Sequence, residues 1–211
     1  MNEDLIELIR NAAHDHLFHV MRNKRYYMGD WYLNFSTTQY MNERVHKNGF
    51  KTSENIINKL KSFDPNGSYL NMGTAAGHLP WANNVLEAGL RIDNVEWDDQ
   101  LICCETLRKS FGININYTCN NVNDDDFEIR GCEETYDYVI LQRFFPIYHT
   151  LNAEAMRNVL RKFKPYARKS VIVEADQNWS EGVFEDLLSF SERRTDLGRG
   201  WSLIVTDLGK A

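Results

Sequence analysis

The sequence predicts an α/β protein built on a parallel sheet with helices on both sides, and three observations predict it. From Ser68 onward, short apolar runs alternate with helix-period segments, the pattern of strands joined by crossover helices. The run Y-D-Y-V-I-L, Tyr136 to Leu141, is continuous and apolar, as a strand buried on both faces requires. The stretch S-Y-L-N-M-G-T-A-A-G-H, Ser68 to His78, reads as strand, small-residue turn and helix start. That arrangement brings backbone N–H groups and a helix N-terminus toward a ligand. Glycine at Gly73 and Gly77 would keep the approach open.

A chain of 211 residues fits one domain, or one domain with an elaborated end, and is long enough for a full core. Its hydrophobic share of 43% and charged share of 26% fit an ordinary soluble protein. A net charge of −6 gives no general attraction for nucleic acid or anionic lipid. No apolar run approaches bilayer length, so no membrane segment is expected, and the N-terminus lacks a signal-peptide core. Cys103, Cys104, Cys119 and Cys132 lack C-x-x-C spacing, which predicts reduced thiols in a cytoplasmic chain.

The elements follow in order. Leu5, Ile9, Ala12, Ala13, Leu17 and Val20 share one face of a helix from Glu3 to Met21. His14 and His16 on it lie about 200° apart, so at most His16 and His19 could share a metal. Solvated or packed histidines are the simpler reading. Lys24 to Phe35 holds five aromatics in twelve residues around Gly29 and fits neither period, so it reads as a loop. Ser36 with Gln39 is a capping-box signature for a helix ending at Asn48-Gly49. A further helix, capped by Thr52 or Ser53 and buried through Ile56, Ile57, Leu60 and Phe63, stops at the turn D-P-N-G.

After the strand at Tyr69 to Met72, a helix runs toward Gly89 and a second strand covers Ile92 to Glu96. Asp98 or Asp99 can cap a helix closed by Gly112, and Ile113 to Cys119 forms a third strand. A polar, acidic run from Asn120 to Asp126 precedes the fourth strand at Tyr136 to Leu141. Asn152 starts a helix that Pro165 ends, Ser170 to Glu174 is a fifth strand, and Ser180 can cap a helix through Leu188. Phe190 to Asp207 reads as a hairpin turned at Gly198-Arg199-Gly200. Ligands of parallel sheets sit at the carboxyl ends of the strands, so the loops after Met72, Glu96, Thr118 and Leu141 are the ones to inspect.

Read together, those four loops resemble the class I S-adenosylmethionine-dependent methyltransferases, in particular the branch acting on small molecules. The likeness covers about Thr52 to the C-terminus. N-M-G-T-A-A-G, Asn71 to Gly77, is similar to the family's D-x-G-x-G-x-G, with Asn71 in place of the acid and Ala75 in place of the middle glycine. The second strand of the family ends in an acid that grips the ribose hydroxyls. Here Glu96 is that acid, nineteen residues past Gly77, with Asp98 as a competing register. A carboxylate suits two adjacent hydroxyls because it only accepts hydrogen bonds. An acidic turn that merely caps a helix is the plainer alternative. The resemblance further implies that Trp97 lies against the adenine, that Asn121 and Val122 contact its edge, and that Gln142 follows the strand passing the sulfonium. L-R-K-F-K-P-Y-A, Leu160 to Ala167, resembles the family's L-K-P-G-G turn, with Tyr166-Ala167 in place of the glycines.

The fold implied is a Rossmann-like, mainly parallel seven-stranded sheet with helices on both faces and a C-terminal β-hairpin. Residues 1–66 would form an N-terminal helical cap or lid and residues 67–211 the core. The cofactor implied is S-adenosylmethionine, and the partner a small-molecule methyl acceptor. The sulfonium methyl is already activated, so the protein must align a nucleophile and exclude water. An oxygen or nitrogen nucleophile also calls for a base, for which His149, His46 and the early tyrosines are candidates. A packing role is the simpler reading of His149.

Three other classes compete. A degenerate, non-catalytic relative that binds a nucleoside or a partner is kept open by Asn71, Ala75, Asn121 and Tyr166. An acid after the second strand also suits a nicotinamide cofactor. Nucleic-acid methylation is disfavoured by acidic charge and by Q-R-F-F-P-I-Y, Gln142 to Tyr148, where base-modifying enzymes carry an N-P-P-Y type of motif.

Overall fold

A computed structural model of the chain describes residues 47–74, 77–98, 101, 105–142, 152–179 and 182–211. The aromatic segment from Lys24 to Phe35, the N-terminal histidines, His46, Ala75 and His149 lie outside the described residues, as does most of the expected 1–66 cap.

The sheet is eight-stranded and mixed, in the order β4-β3-β2-β1-β5-β6-β8-β7. Its strands are β1 (Ser68–Met72), β2 (Arg91–Trp97), β3 (Tyr117–Cys119), β4 (Ile129–Arg130), β5 (Tyr136–Leu141), β6 (Ala167–Asp176), β7 (Ser191–Gly198) and β8 (Trp201–Thr206). The expected mainly parallel, seven-stranded sheet is corrected accordingly. β1, β2, β3, β5 and β6 pair in parallel, whereas β4, β8 and β7 join antiparallel. The extra strand is β4, whose two residues pair with β3 as Thr118↔Arg130 and Cys119↔Ile129. Two residues are too few to show an alternation, so it is invisible in a period search.

The helices among the described residues are α1 (Lys47–Phe63), α2 (His78–Val85), α3 (Glu105–Ser110), α4 (Ala153–Phe163) and α5 (Val183–Ser189). They cover both faces, as expected. On one face, Ile56, Ile57 and Leu60 of α1 and Leu79 and Ala82 of α2 bury against Tyr69, Tyr138, Ile140, Ile172 and Leu203. On the other, Met156, Leu160 and Phe163 of α4 and Phe184 and Leu187 of α5 close over Leu70, Met72, Val139, Leu141 and Val171.

Several boundaries move for physical reasons. α1 runs through Asn48-Gly49, where the sequence reads as a helix end. Ser53 is therefore interior and fully buried, and its hydroxyl accepts a hydrogen bond from Gln142 instead of capping a terminus. The third strand shortens to Tyr117–Cys119, because Ile113 N–H bonds back to the Arg108 carbonyl at 2.8 Å and closes α3. Asn152 caps α4 as expected, its Oδ1 accepting from Ala155 N–H at 2.8 Å. A 3-10 turn over Lys164–Tyr166, containing Pro165, then leads into β6. The hairpin turns where Gly198, Arg199 and Gly200 all take positive φ.

Candidate functional site

The order of the sheet fixes where a ligand would sit. β1 lies between β2 and β5, all parallel, with the chain leaving β1 outward through β2 and β3 and returning through β5 on the other side. The carboxyl ends of β1, β2, β3 and β5 therefore flank a topological switch point, where doubly wound sheets open a crevice.

At the end of β1, Asn71 is buried and pairs in register with Asn94 of β2. Its Nδ2 donates to Asn94 Oδ1 at 3.2 Å and to Thr74 Oγ1 at 3.5 Å. Thr74 Oγ1 in turn donates to the Val95 carbonyl at 3.1 Å. Asn71 Oδ1 is also buried, yet it accepts no hydrogen bond among the described residues. Such an acceptor costs about 1–3 kcal/mol when left dry and invites a donor from a ligand.

In the turn after β1, the described N–H groups are directed inward. The N–H groups of Gly73 and Thr74 both donate to the Val95 carbonyl, at 3.0 and 3.2 Å, and Gly77 N–H donates to the Thr74 carbonyl at 2.8 Å. α2 carries Pro80 in its first turn, which removes one further donor. Gly73 and Gly77 have φ of +67° and +81°, so each needs glycine for its backbone. Their surroundings differ. A Cβ at Gly73 would meet nothing within 4 Å, whereas one at Gly77 would press on the Ile113 side chain at 3.1 Å. Gly77 is thus a close-packing position as well.

At the end of β2, Glu96 is only 3% exposed, and its Oε1 accepts from Trp97 N–H at 2.9 Å. Its Oε2 lies 3.9 Å from Nη1 of Arg108, a guanidinium that is itself buried. Arg108 Nη2 also donates to the Leu101 carbonyl. Asp98, the competing acid, is turned to the sheet edge and forms an ion pair with Arg130 of β4. Trp97 points to the opposite face from Glu96, half-buried against the Val95 and Cys119 cluster. Burial, with Glu96 and Asp98 adding negative charge, pushes the Cys119 thiol up to about 12, so it carries no thiolate at neutral pH.

Beyond β3, Asn121 is exposed and its Oδ1 accepts from Asn123 N–H at 3.0 Å, shaping the turn and leaving one lone pair. Val122 is fully buried, and its carbonyl accepts from Lys162 Nζ of α4 at 2.9 Å. Lys162 also donates to the Asp124 carbonyl at 2.6 Å, which pins this loop. Gln142, just after β5, donates through Nε2 to Ser53 Oγ at 2.9 Å. Asn71, Gly73, Gly77, Glu96 and Trp97 thus cluster at the ends of β1 and β2, with Asn121, Val122 and Gln142 on the flanking strand ends.

Two buried charges escaped the sequence reading. Arg108 reads as a solvated helix residue from sequence alone. Glu174, 1% exposed near the carboxyl end of β6, stands in an apolar strand facing the same side as Ile172. An acid inside V-I-V-E-A was the available signal. Among the described residues no group of three or more His, Cys, Asp or Glu could hold a metal ion, and no helix is long and apolar enough to cross a membrane.

No protein-family model matches the sequence, and no curated protein matches it. Solved structures do match. The pyocyanin biosynthetic protein PhzM is 17% identical with a TM-score of 0.54, over 91% of this chain and 61% of PhzM. The mitomycin 7-O-methyltransferase MmcR is 13% identical with a TM-score of 0.53, over 92% of this chain and 66% of MmcR. Magnesium protoporphyrin IX methyltransferase of Synechocystis PCC 6803, crystallised with bound S-adenosylmethionine, is 13% identical with a TM-score of 0.52, over 79% of this chain and 82% of that one. This chain therefore spans less than two thirds of the first two proteins' lengths. At these identities the likeness is one of architecture: the chain has the fold of the class I methyltransferases.

Proposed function

We propose that the chain is an S-adenosylmethionine-dependent methyltransferase acting on a small molecule. The observation that carries this reading is Glu96. It is a buried carboxylate at the carboxyl end of β2, beside a β1 turn whose described N–H groups bond internally. That pairing suits a nucleoside with a free diol and no phosphate. A dinucleotide needs the opposite arrangement, with turn and helix N–H groups turned outward to its pyrophosphate. The nicotinamide alternative is disfavoured on that ground.

The residues present fit the cofactor. Glu96 would accept from the ribose hydroxyls, Asn71 Oδ1 offers a dry acceptor for a donor group, and the open space at Gly73 admits the ligand's approach. Trp97, Asn121 and Val122 would border the adenine. When bound, S-adenosylmethionine supplies a methyl group already activated on sulfur. The chain's own work is then to hold the acceptor in line, exclude water and take up its proton. His149, eight residues past β5 in the sequence, and Glu174, near the carboxyl end of β6, are the candidate proton acceptors. The acceptor would be a small molecule carrying a hydroxyl or amine.

The test is calorimetry and thermal melting of the purified chain with S-adenosylmethionine, S-adenosylhomocysteine and NAD. Stabilisation by the first two and not by NAD is expected; the reverse would overturn the reading. Products heavier by one methylene unit in a metabolite extract would then separate a working enzyme from a nucleoside-binding relative.

A further inference from the structure

We propose that Arg108 is a positioning residue for the nucleoside site, holding the Glu96 carboxylate in place and balancing its charge so that the carboxylate can accept from a vicinal diol. The inference rests on the methyl-transfer reading, because the diol in question is that of the cofactor's ribose.

α3 is six residues long and carries two adjacent cations with opposite fates. Lys109 is 74% exposed and pairs with Glu105 at the surface, whereas the Arg108 side chain is 4% exposed. An arginine is buried in that way only when its charge and its donors are matched. Arg108 approaches Glu96 with Nη1 at 3.9 Å and binds the Leu101 carbonyl with Nη2, so it spans the connection between β2 and α3. Its own carbonyl accepts from Phe111 N–H and Ile113 N–H, at 3.2 and 2.8 Å. Ile113 is the residue against which the Gly77 turn packs. Arg108 therefore joins the two halves of the candidate site, the acid after β2 and the glycine turn after β1.

The chemistry requires such a partner. A carboxylate with 3% exposure and no cation nearby tends to take up a proton or turn outward. A neutral acid donates one hydrogen bond and no longer accepts from two adjacent hydroxyls. Glu96 Oε1 accepts from Trp97 N–H, which fixes the carboxylate at the end of β2. Arg108 supplies the charge balance from behind, and its fork is fixed by Leu101.

The test uses the full chain and calorimetry with S-adenosylhomocysteine and its 2′-deoxy and 3′-deoxy analogues, with melting curves alongside. The wild type should prefer the intact ribose by roughly tenfold to a hundredfold, the scale of charge-assisted hydrogen bonds. Arg108→Met should lose that preference to within about threefold, and Arg108→Lys should keep most of it because a cation remains. If Arg108→Met fails to melt cooperatively, Arg108→Gln takes its place under the same criterion. A folded, uncharged variant that retains the wild-type preference overturns the role of Arg108 alone. A lysine variant as indifferent to the hydroxyls as the methionine variant overturns charge balance as the cause. Failure of the wild type to bind S-adenosylhomocysteine overturns the methyl-transfer reading, and this inference with it.

Discussion

Replacing Glu96 by alanine should weaken S-adenosylhomocysteine binding by about 2 kcal/mol, or roughly thirtyfold in Kd. The figure follows from what the carboxylate can offer. The carboxylate is held by the bond from Trp97 N–H to Oε1, and the group is almost fully shielded from water. Asp98→Ala should cost far less, because that acid is a third exposed and already engaged by Arg130. Stability separates the two variants as well. Removing Glu96 leaves a buried guanidinium short of one partner, which can cost about 3 kcal/mol. The 3.9 Å separation keeps this at the lower end. For a chain of this size that is a drop in Tm of roughly 6–12 °C. Glu96→Gln controls for lost packing, since the amide keeps the shape while losing the charge and turning one acceptor oxygen into a donor NH2. Calorimetry on the three variants, each corrected for its folded fraction, is the assay. A larger affinity loss for Asp98→Ala than for Glu96→Gln would move the ribose contact to Asp98 and refute the reasoning.

Three further outcomes are expected. Gly77→Ala should destabilise the fold by about 1–3 kcal/mol, since its φ of +81° and the Ile113 side chain 3.1 Å away both oppose a Cβ; a Tm within one degree of wild type would contradict the packing role. Asp137 is held below the usual carboxylate range, first by Ser68 N–H and then by Lys169 and Arg168, so it contributes stability above its unfolded pKa that is lost as pH falls through the folded value. Asp137→Asn should flatten the loss of stability below about pH 4, and an unchanged acid titration of stability would rule this out. In the aromatic segment outside the described residues, changing Tyr27 and Trp31 together to alanine should abolish methyl transfer with little change in Tm if the segment acts as a lid; an early-melting variant whose folded fraction keeps full activity would show that the rings only brace the core.

The legible parts of the fold were those where one residue pattern admits one structure. Tyr136 to Leu141 is apolar throughout and became the central strand β5, and Gly198-Arg199-Gly200 could only be a turn. The continuity of α1 through Asn48-Gly49 was hidden because that pair is a local stop signal that the helix overrides. In the candidate site, Glu96 was legible through the family resemblance, as the acid nineteen residues past Gly77. Arg108 did not, because a lone arginine among polar helix residues looks solvated until the chain folds it inward. Glu174 is visible in the sequence as a residue but not as a site, since β6 is not one of the four strands whose ends flank the expected ligand.

The inward bonds of the β1 turn carry a consequence for selectivity in a crowded cell. Adenosine circulates there mostly as phosphorylated forms, all of which present the same base and sugar as the proposed ligand. A pocket that recognised only those shared parts would be filled by its most abundant competitors. Here the donors that would reward a phosphate, on Gly73, Thr74 and Gly77, are committed to Val95 and Thr74. A phosphorylated nucleoside entering between β1 and β2 would surrender its hydration and meet the Glu96 carboxylate, with none of those three groups to compensate it.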